Sequence, residues 1–281
     1  MSFDPFKITE PTCISFSGGR TSAYMLWRVI QSGGGQLPCQ AIVCFANTGK
    51  EDEATLKFVQ DCSEQWNVPI TWLEYVSHPE PSQRFKVVTF DTANRDGAPF
   101  EAVIRHYGKL PNPINKVCTA EVMIRAVGRY LTSIGWEEWD SMIGLRADEL
   151  RRAAKLKSDR KGETPIAPLV SAKVDIQKIS EFWSKQSFQL ELPTVNGRTL
   201  AGNCDLCYLK PSAQLLSLIT EKPERAIWWV QMEELAKTLT DGVSNRFHLD
   251  RPSYASMLQY SKEQSDMFDP NEEAIACFCG D

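Results

Sequence analysis

Residues 13–26 read Cys13-Ile14-Ser15-Phe16-Ser17-Gly18-Gly19-Arg20-Thr21-Ser22-Ala23-Tyr24-Met25-Leu26. The short apolar run at 14–16 predicts a buried strand, and residues 21–30 place Ala23, Leu26, Trp27 and Ile30 at helical spacing. A Ser-Gly-Gly turn joins the two. Backbone N–H groups at a helix start have no intrahelical partner, and the positive end of the helix dipole lies there too. That combination suits a phosphate or pyrophosphate. Gly18 and Gly19 carry no Cβ to keep such a ligand away. Ser17, Thr21 and Ser22 add hydroxyl donors, and Arg20 adds a positive charge. An ordinary β-to-α turn with a Ser or Thr cap uses the same residue types, so the elbow needs support from elsewhere in the chain.

That support comes from the order of the elements that follow. Residues 33–35 (Gly-Gly-Gly) stop the first helix, and residues 41–46 form a second continuous apolar run, as a sheet covered on both faces requires. It ends in Asn47-Thr48-Gly49. Residues 53–66 have helical character, and residues 70–75 predict a third strand. Strand, helix, strand, helix, strand in this rhythm predicts an α/β fold with a twisted parallel sheet and helices on both faces. Ligands of such sheets bind outside the carboxyl ends of the strands, where residues 17–22 and 47–49 both fall.

Residues 77–113 are rich in Pro, Gly and polar side chains and predict an irregular excursion, a lid or substrate loop. Cys118 then precedes a predicted helix at 120–131 with Thr119 as its N-cap, a position that lowers a thiol pKa. Residues 139–145 predict another strand. Gly144, Arg146, Glu149 and Arg152 follow as a Gly-x-Arg-x-x-Glu-x-x-Arg pattern, in which guanidinium groups can clamp phosphate or sulfate bidentately. The other reading is a solvated helix with ion pairs three residues apart. From residue 151 to 161 there are six basic side chains against one acidic, Asp159. Such a run is a solvated face, a cover for an anionic substrate, or a grip on RNA or DNA.

The composition is that of a soluble globular chain: 281 residues, 42% hydrophobic, 24% charged, with net charge −5. The acidic balance gives no global nucleic-acid footprint. No apolar run approaches the roughly 20 residues of a membrane span, and no secretory core stands near the start. A cytoplasmic location is expected. Nine cysteines are therefore expected to serve metal or redox chemistry where they cluster. Cys39, Cys44 and Cys62 stand alone and read as small core residues. Cys204 and Cys207 form a CxxC turn, and Cys277 and Cys279 close the chain. Cys118, Cys204 and Cys207 with Cys277 or Cys279 would suit a [4Fe-4S] cluster or structural zinc; a mobile nucleophile at the tail is the third scheme. His78, His106 and His248 form no ligand spacing. Residues 221–239, with Trp228-Trp229, predict an amphipathic helix on the sheet.

Four of these stretches carry a resemblance. Ser17 to Ser22 resembles the PP-loop signature of ATP pyrophosphatases, Ser-Gly-Gly-Lys-Asp-Ser, with Arg20-Thr21 in place of Lys-Asp. Asn47-Thr48-Gly49 resembles the Asp-Thr-Gly after the second strand of the phosphoadenylylsulfate (PAPS) reductase and ATP sulfurylase small-subunit group. The Gly144 to Arg152 pattern and the later CxxC resemble that group too. The chain is thus similar to the PAPS reductase-like branch of the PP-loop superfamily, over residues 13 to about 207. The resemblance implies a nucleotide domain at 1–200 and a helical, cysteine-bearing extension at 201–281. It implies that Ser17, Gly18, Gly19, Thr21, Ser22, Asn47, Thr48 and Gly49 hold an adenine nucleotide, with Arg20 on its pyrophosphate and Arg146 and Arg152 positioning the anionic acceptor. ATP with Mg²⁺ is the preferred nucleotide, adenylation with pyrophosphate release the preferred reaction, and sulfur transfer at the cysteine site its sequel. A tRNA or DNA acceptor on the 151–161 run and a sulfur-donor protein would be partners. The alternatives are a PAPS or adenylylsulfate reductase, with Cys279 as nucleophile and a thiol reductant as partner, and a non-catalytic nucleotide or cluster sensor. Oligomeric state is left open.

Overall fold

Cys13 and Ile14 are neighbours in the chain yet belong to different halves of the core. Ile14 packs with Phe16, Val43, Phe45, Leu56 and Val59, whereas Cys13 packs with Cys44, Leu73, Leu131 and Trp139. Successive strand residues point to opposite faces, so a strand apolar at both must be covered on both sides. A computed structural model describes residues 3–157, 162–195, 197–239 and 245–263 and bears this out.

The main strands are β1 (Thr12–Ser15), β2 (Ala41–Asn47), β3 (Ile70–Glu74), β4 (Lys86–Val88), β5 (Trp139–Ile143) and β6 (Glu163–Ile166). They form one sheet in the order β4-β3-β2-β1-β5-β6, with β7 (Thr194–Val195) and β8 (Arg198–Thr199) as a separate hairpin. All pairings in the large sheet are parallel except β3 with β4. The fold is therefore α/β, as expected. The chain runs outward from β1 through β2 and β3, then returns to place β5 on the other side of β1. The strand order thus reverses at β1, and the carboxyl ends of β1 and β5 mark a switch point of the kind where α/β sheets bind ligands.

The helices are α1 (Arg20–Ser32), α2 (Glu53–Trp66), α3 (Ala98–Tyr107), α4 (Ala126–Ser133), α5 (Leu150–Ala153), α6 (Pro168–Ser171), α7 (Ile176–Trp183), α8 (Ser212–Glu221), α9 (Arg225–Leu239) and α10 (Tyr254–Glu263). Asp52 caps α2 by accepting from Ala54 N at 3.0 Å, and Asp175 caps α7 from Lys178 N at 3.0 Å. Aromatic edges seat α7 on α1: Phe182 lies 5.0 Å from Tyr24 and 4.7 Å from Trp27 between ring centroids. Among the described residues no helix is long and apolar enough to cross a membrane.

Three expectations are corrected. The segment 77–113 is not wholly irregular: it contributes the antiparallel edge β4 and the ten-residue α3. Pro99, Phe100, Val103 and Ile104 are buried on one side of α3, a spacing masked in the sequence by the surrounding Pro and Gly. Thr119 does not cap the next helix. Cys118 precedes it in αR geometry, and Thr119–Arg125 is wound as a π-helix, a rare form that recurs at functional sites. Trp228 and Trp229 pack on a helix rather than the sheet, with Phe100 of α3 at 5.2 and 5.8 Å between centroids.

Candidate functional site

The elbow after β1 is built as its sequence demands. Gly18 has φ +77°, and a Cβ there would lie 2.7 Å from Thr55 Cγ2 of α2, so only glycine fits. Gly19 opens α1 with no side-chain cap. Ser22 Oγ accepts from Ser17 N at 3.2 Å and donates to Gly19 O at 3.0 Å, which closes the elbow on itself. Thr21 and Ser22 are buried, while Ser17, Gly19 and Arg20 remain part-exposed. The Arg20 guanidinium turns to the 190s segment, donating to Thr194 Oγ1 at 2.6 Å and Leu190 O at 2.9 Å.

Across the switch point, Gly144 lets the end of β5 approach this elbow: a Cβ on it would sit 3.2 Å from Ser22 Cα. Arg146, only 5% exposed, extends over the gap and donates from Nη1 to Thr21 Oγ1 at 3.4 Å. Asp148 holds the same guanidinium at 3.2 Å through Nε. Glu149 accepts from Arg146 N at 3.0 Å and pairs with Arg152, so it orients both arginines. The structure thus brings the glycine elbow and the Gly-x-Arg-x-x-Glu-x-x-Arg pattern together. The basic stretch continues outward along 151–157; the rest of it, 158–161, lies outside the described residues.

The third motif takes a different position. Asn47 is fully buried at the end of β2. Its Nδ2 donates to Glu74 Oε1 at 2.7 Å and Asn94 O at 2.8 Å, and its Oδ1 accepts from Gly49 N at 3.1 Å. The side chain therefore fastens the 89–97 segment to the sheet. Gly49, at φ +76°, has Asn94 Oδ1 2.3 Å from where a Cβ would stand. Thr48 faces the cysteines: its Oγ1 donates to Glu51 Oε1 at 2.8 Å and lies 3.4 Å from Cys204 Sγ.

Cys204 and Cys207 occupy a turn that begins at Asn203, held at φ +58°. Burial pushes the Cys204 thiol well up; Glu51, Cys207 and Cys118 add to the rise, and the Thr48 hydrogen bond opposes it. Cys118 thus comes within electrostatic reach of Cys204, although 86 residues separate them in the chain. Cys118 Sγ meets Tyr208 OH at 3.4 Å. Among the described residues, no group of three or more His, Cys, Asp or Glu side chains is arranged to hold a metal ion. Two of the thiols lie beside hydroxyls, Cys204 at Thr48 and Cys118 at Tyr208, and the three are not set as ligands of one ion in this arrangement. Cys277 and Cys279 lie outside the described residues.

Several residues of this region escaped the sequence reading. Glu51 is pushed up to about 7 by burial, against hydrogen bonds from Thr48 and Lys50 that lower it. Lys50 and Asp205 form a buried pair at 3.3 Å. Tyr208 and Glu74 belong here as well. Only position could have flagged the first three: Lys50 and Glu51 directly follow Gly49, and Asp205 lies inside the CxxC.

No family model matches the chain. It is similar to the uncharacterized nin region protein ORF290 of Escherichia phage lambda, with 28% identity over 217 residues, covering 75% of this chain and 70% of that protein.

Proposed function

We propose that this protein binds an adenine nucleotide at the carboxyl ends of β1 and β5 and uses ATP to adenylate an acceptor, ahead of sulfur chemistry at Cys118, Cys204 and Cys207. The observation that carries this reading is the reach of Arg146 onto Thr21. It sets a buried guanidinium beside an uncapped helix start at the sheet's switch point. Backbone N–H groups of 18–22 and the hydroxyls of Ser17, Thr21 and Ser22 would bind pyrophosphate, with Mg²⁺ accompanying the ATP. Thr48 and Gly49 would border the adenosine side, with fully buried Asn47 holding the loop behind them. Arg146 and Arg152, oriented by Glu149, would place the anionic acceptor in line. An acceptor oxygen then attacks the α-phosphorus, the bond to the β-phosphate breaks, and pyrophosphate leaves with its charge met by these donors. Arg20 would join them only by leaving Thr194 and Leu190.

Cys118, Cys204 and Cys207, with Cys277 or Cys279, would hold a [4Fe-4S] cluster or zinc. Such a group would supply a thiophilic corner for sulfur. Thr48 and Tyr208 place hydroxyls on its Cys204 and Cys118 ligands. A tRNA or DNA acceptor would lie along 151–161, and a sulfur-donor protein would serve the cysteines. The test supplies the protein with ATP and Mg²⁺, and separately with PAPS. Pyrophosphate release from ATP supports the proposal. Sulfite release from PAPS, abolished by Cys279→Ser, would replace it with reduction, and binding without turnover of either would replace it with a sensor.

A further inference from the structure

The loop that follows β2 and the turn that carries Cys204 are strapped to each other. Glu51 and Cys204 form an isolated antiparallel bridge, and Asp205 N donates to Lys50 O at 2.7 Å. Asp52 pairs with Arg225 at the start of α9. At the centre, Lys50 Nζ lies 3.3 Å from Asp205 Oδ2, with Lys50 9% and Asp205 7% exposed. Asp205 Oδ1 also accepts from Leu206 N at 2.7 Å and from Trp229 Nε1 at 2.9 Å. The ammonium sits 5.3 Å from the centroid of the Trp228 ring. A buried ion pair adds little net stability over an apolar one, but breaking it on one side is costly.

We propose that the 48–52 loop and the 204–207 turn open as one unit latched by Lys50 and Asp205, so that nucleotide on the loop controls access to the Cys204 thiol. This rests on the nucleotide reading above and adds a regulation to that site. A part-buried thiol is alkylated from a locally opened state. A ligand bound only to the closed state suppresses opening by the factor 1 + [L]/Kd, so ATP at ten times its Kd slows Cys204 labelling about tenfold. Without the latch the turn opens by itself, and ATP no longer protects the thiol although it still binds.

The experiment treats the full chain, first freed of any thiolate-bound metal with a chelator so that Cys204 can react, with iodoacetamide, with and without ATP and Mg²⁺, and follows each cysteine by peptide mass spectrometry. ATP affinity is measured in parallel by calorimetry. Cys39, expected in the core but exposed, unlike buried Cys44 and Cys62, is the internal reference, its rate unchanged by nucleotide. The expected result is strong protection of Cys204 in the parent, loss of it in Lys50→Met, and its return in Lys50→Arg. Should Lys50→Met fail to fold, Asp205→Asn decides, because it keeps an oxygen for Trp229. ATP binding with unchanged Cys204 labelling overturns the coupling and leaves the nucleotide reading standing. Absence of ATP binding removes both. Full protection in Lys50→Met or Asp205→Asn overturns the latch.

Discussion

Replacing Asn47 by aspartate is expected to destabilise this protein. The amide Nδ2 donates 2.7 Å to Oε1 of Glu74, a carboxylate with no exposure to water. The substitution would turn that charge-assisted bond into a contact between two carboxylates. Loss of a hydrogen bond to a charged group costs about 1.5–3 kcal/mol, and stranding a buried charge brings the total toward about 3–5 kcal/mol. Lys86 Nζ remains 2.8 Å from Glu74 Oε2 and offsets part of this, so about 3 kcal/mol is expected near neutral pH. Heat denaturation should move down by roughly 6 °C or more. Burial beside Glu74 raises the folded-state pKa of the new carboxyl above its unfolded value of about 3.9. The penalty is therefore absent below that unfolded value and grows as pH rises through the folded one. Urea unfolding of parent and variant at several pH values measures this gap. Asn47→Asp combined with Glu74→Gln exchanges amide and acid and should recover most of the loss. A variant within about 0.5 kcal/mol of the parent near neutrality, the scatter of ordinary surface changes, would refute the reasoning. So would a gap that ignores pH.

Gly18→Ala places a Cβ at a left-handed φ and 2.7 Å from Thr55 Cγ2, and should cost about 2–4 kcal/mol in chemical denaturation. Arg146→Lys keeps the charge but loses the planar fork toward Thr21 and Asp148. Pyrophosphate release at saturating ATP should fall about tenfold or more with the thermal transition little moved. Burial would raise Glu121, but hydrogen bonds from Tyr107, Arg129 and Arg125 outweigh it and hold it at about 2. That stabilisation is full above the unfolded pKa of about 4.3 and is lost as pH falls toward 2, a change of about 3 kcal/mol. Glu121→Gln should flatten the acid limb of the stability profile accordingly.

The sequence by itself determined the β1–α1 elbow, the parallel sheet and the helix at 53–66, because each rests on local periodicity and on glycines whose backbone role is visible in the residue type. It also marked the Gly144 to Arg152 pattern and the CxxC as chemistry-bearing. Helix α3 was hidden because its apolar side is defined by α9, which arrives more than a hundred residues later. Cys118 promised a thiol ahead of an ordinary helix, and only the tertiary structure gave it a π-helical continuation and a hydroxyl partner in Tyr208, 90 residues on. The fate of Asn47 was decided by Glu74, its register partner on the adjacent strand. Likewise nothing in a lone Lys50 or Asp205 foretold their pairing. Side chains distant in the chain acquire their charge states and partners only when strand order and burial put them in one low-dielectric space.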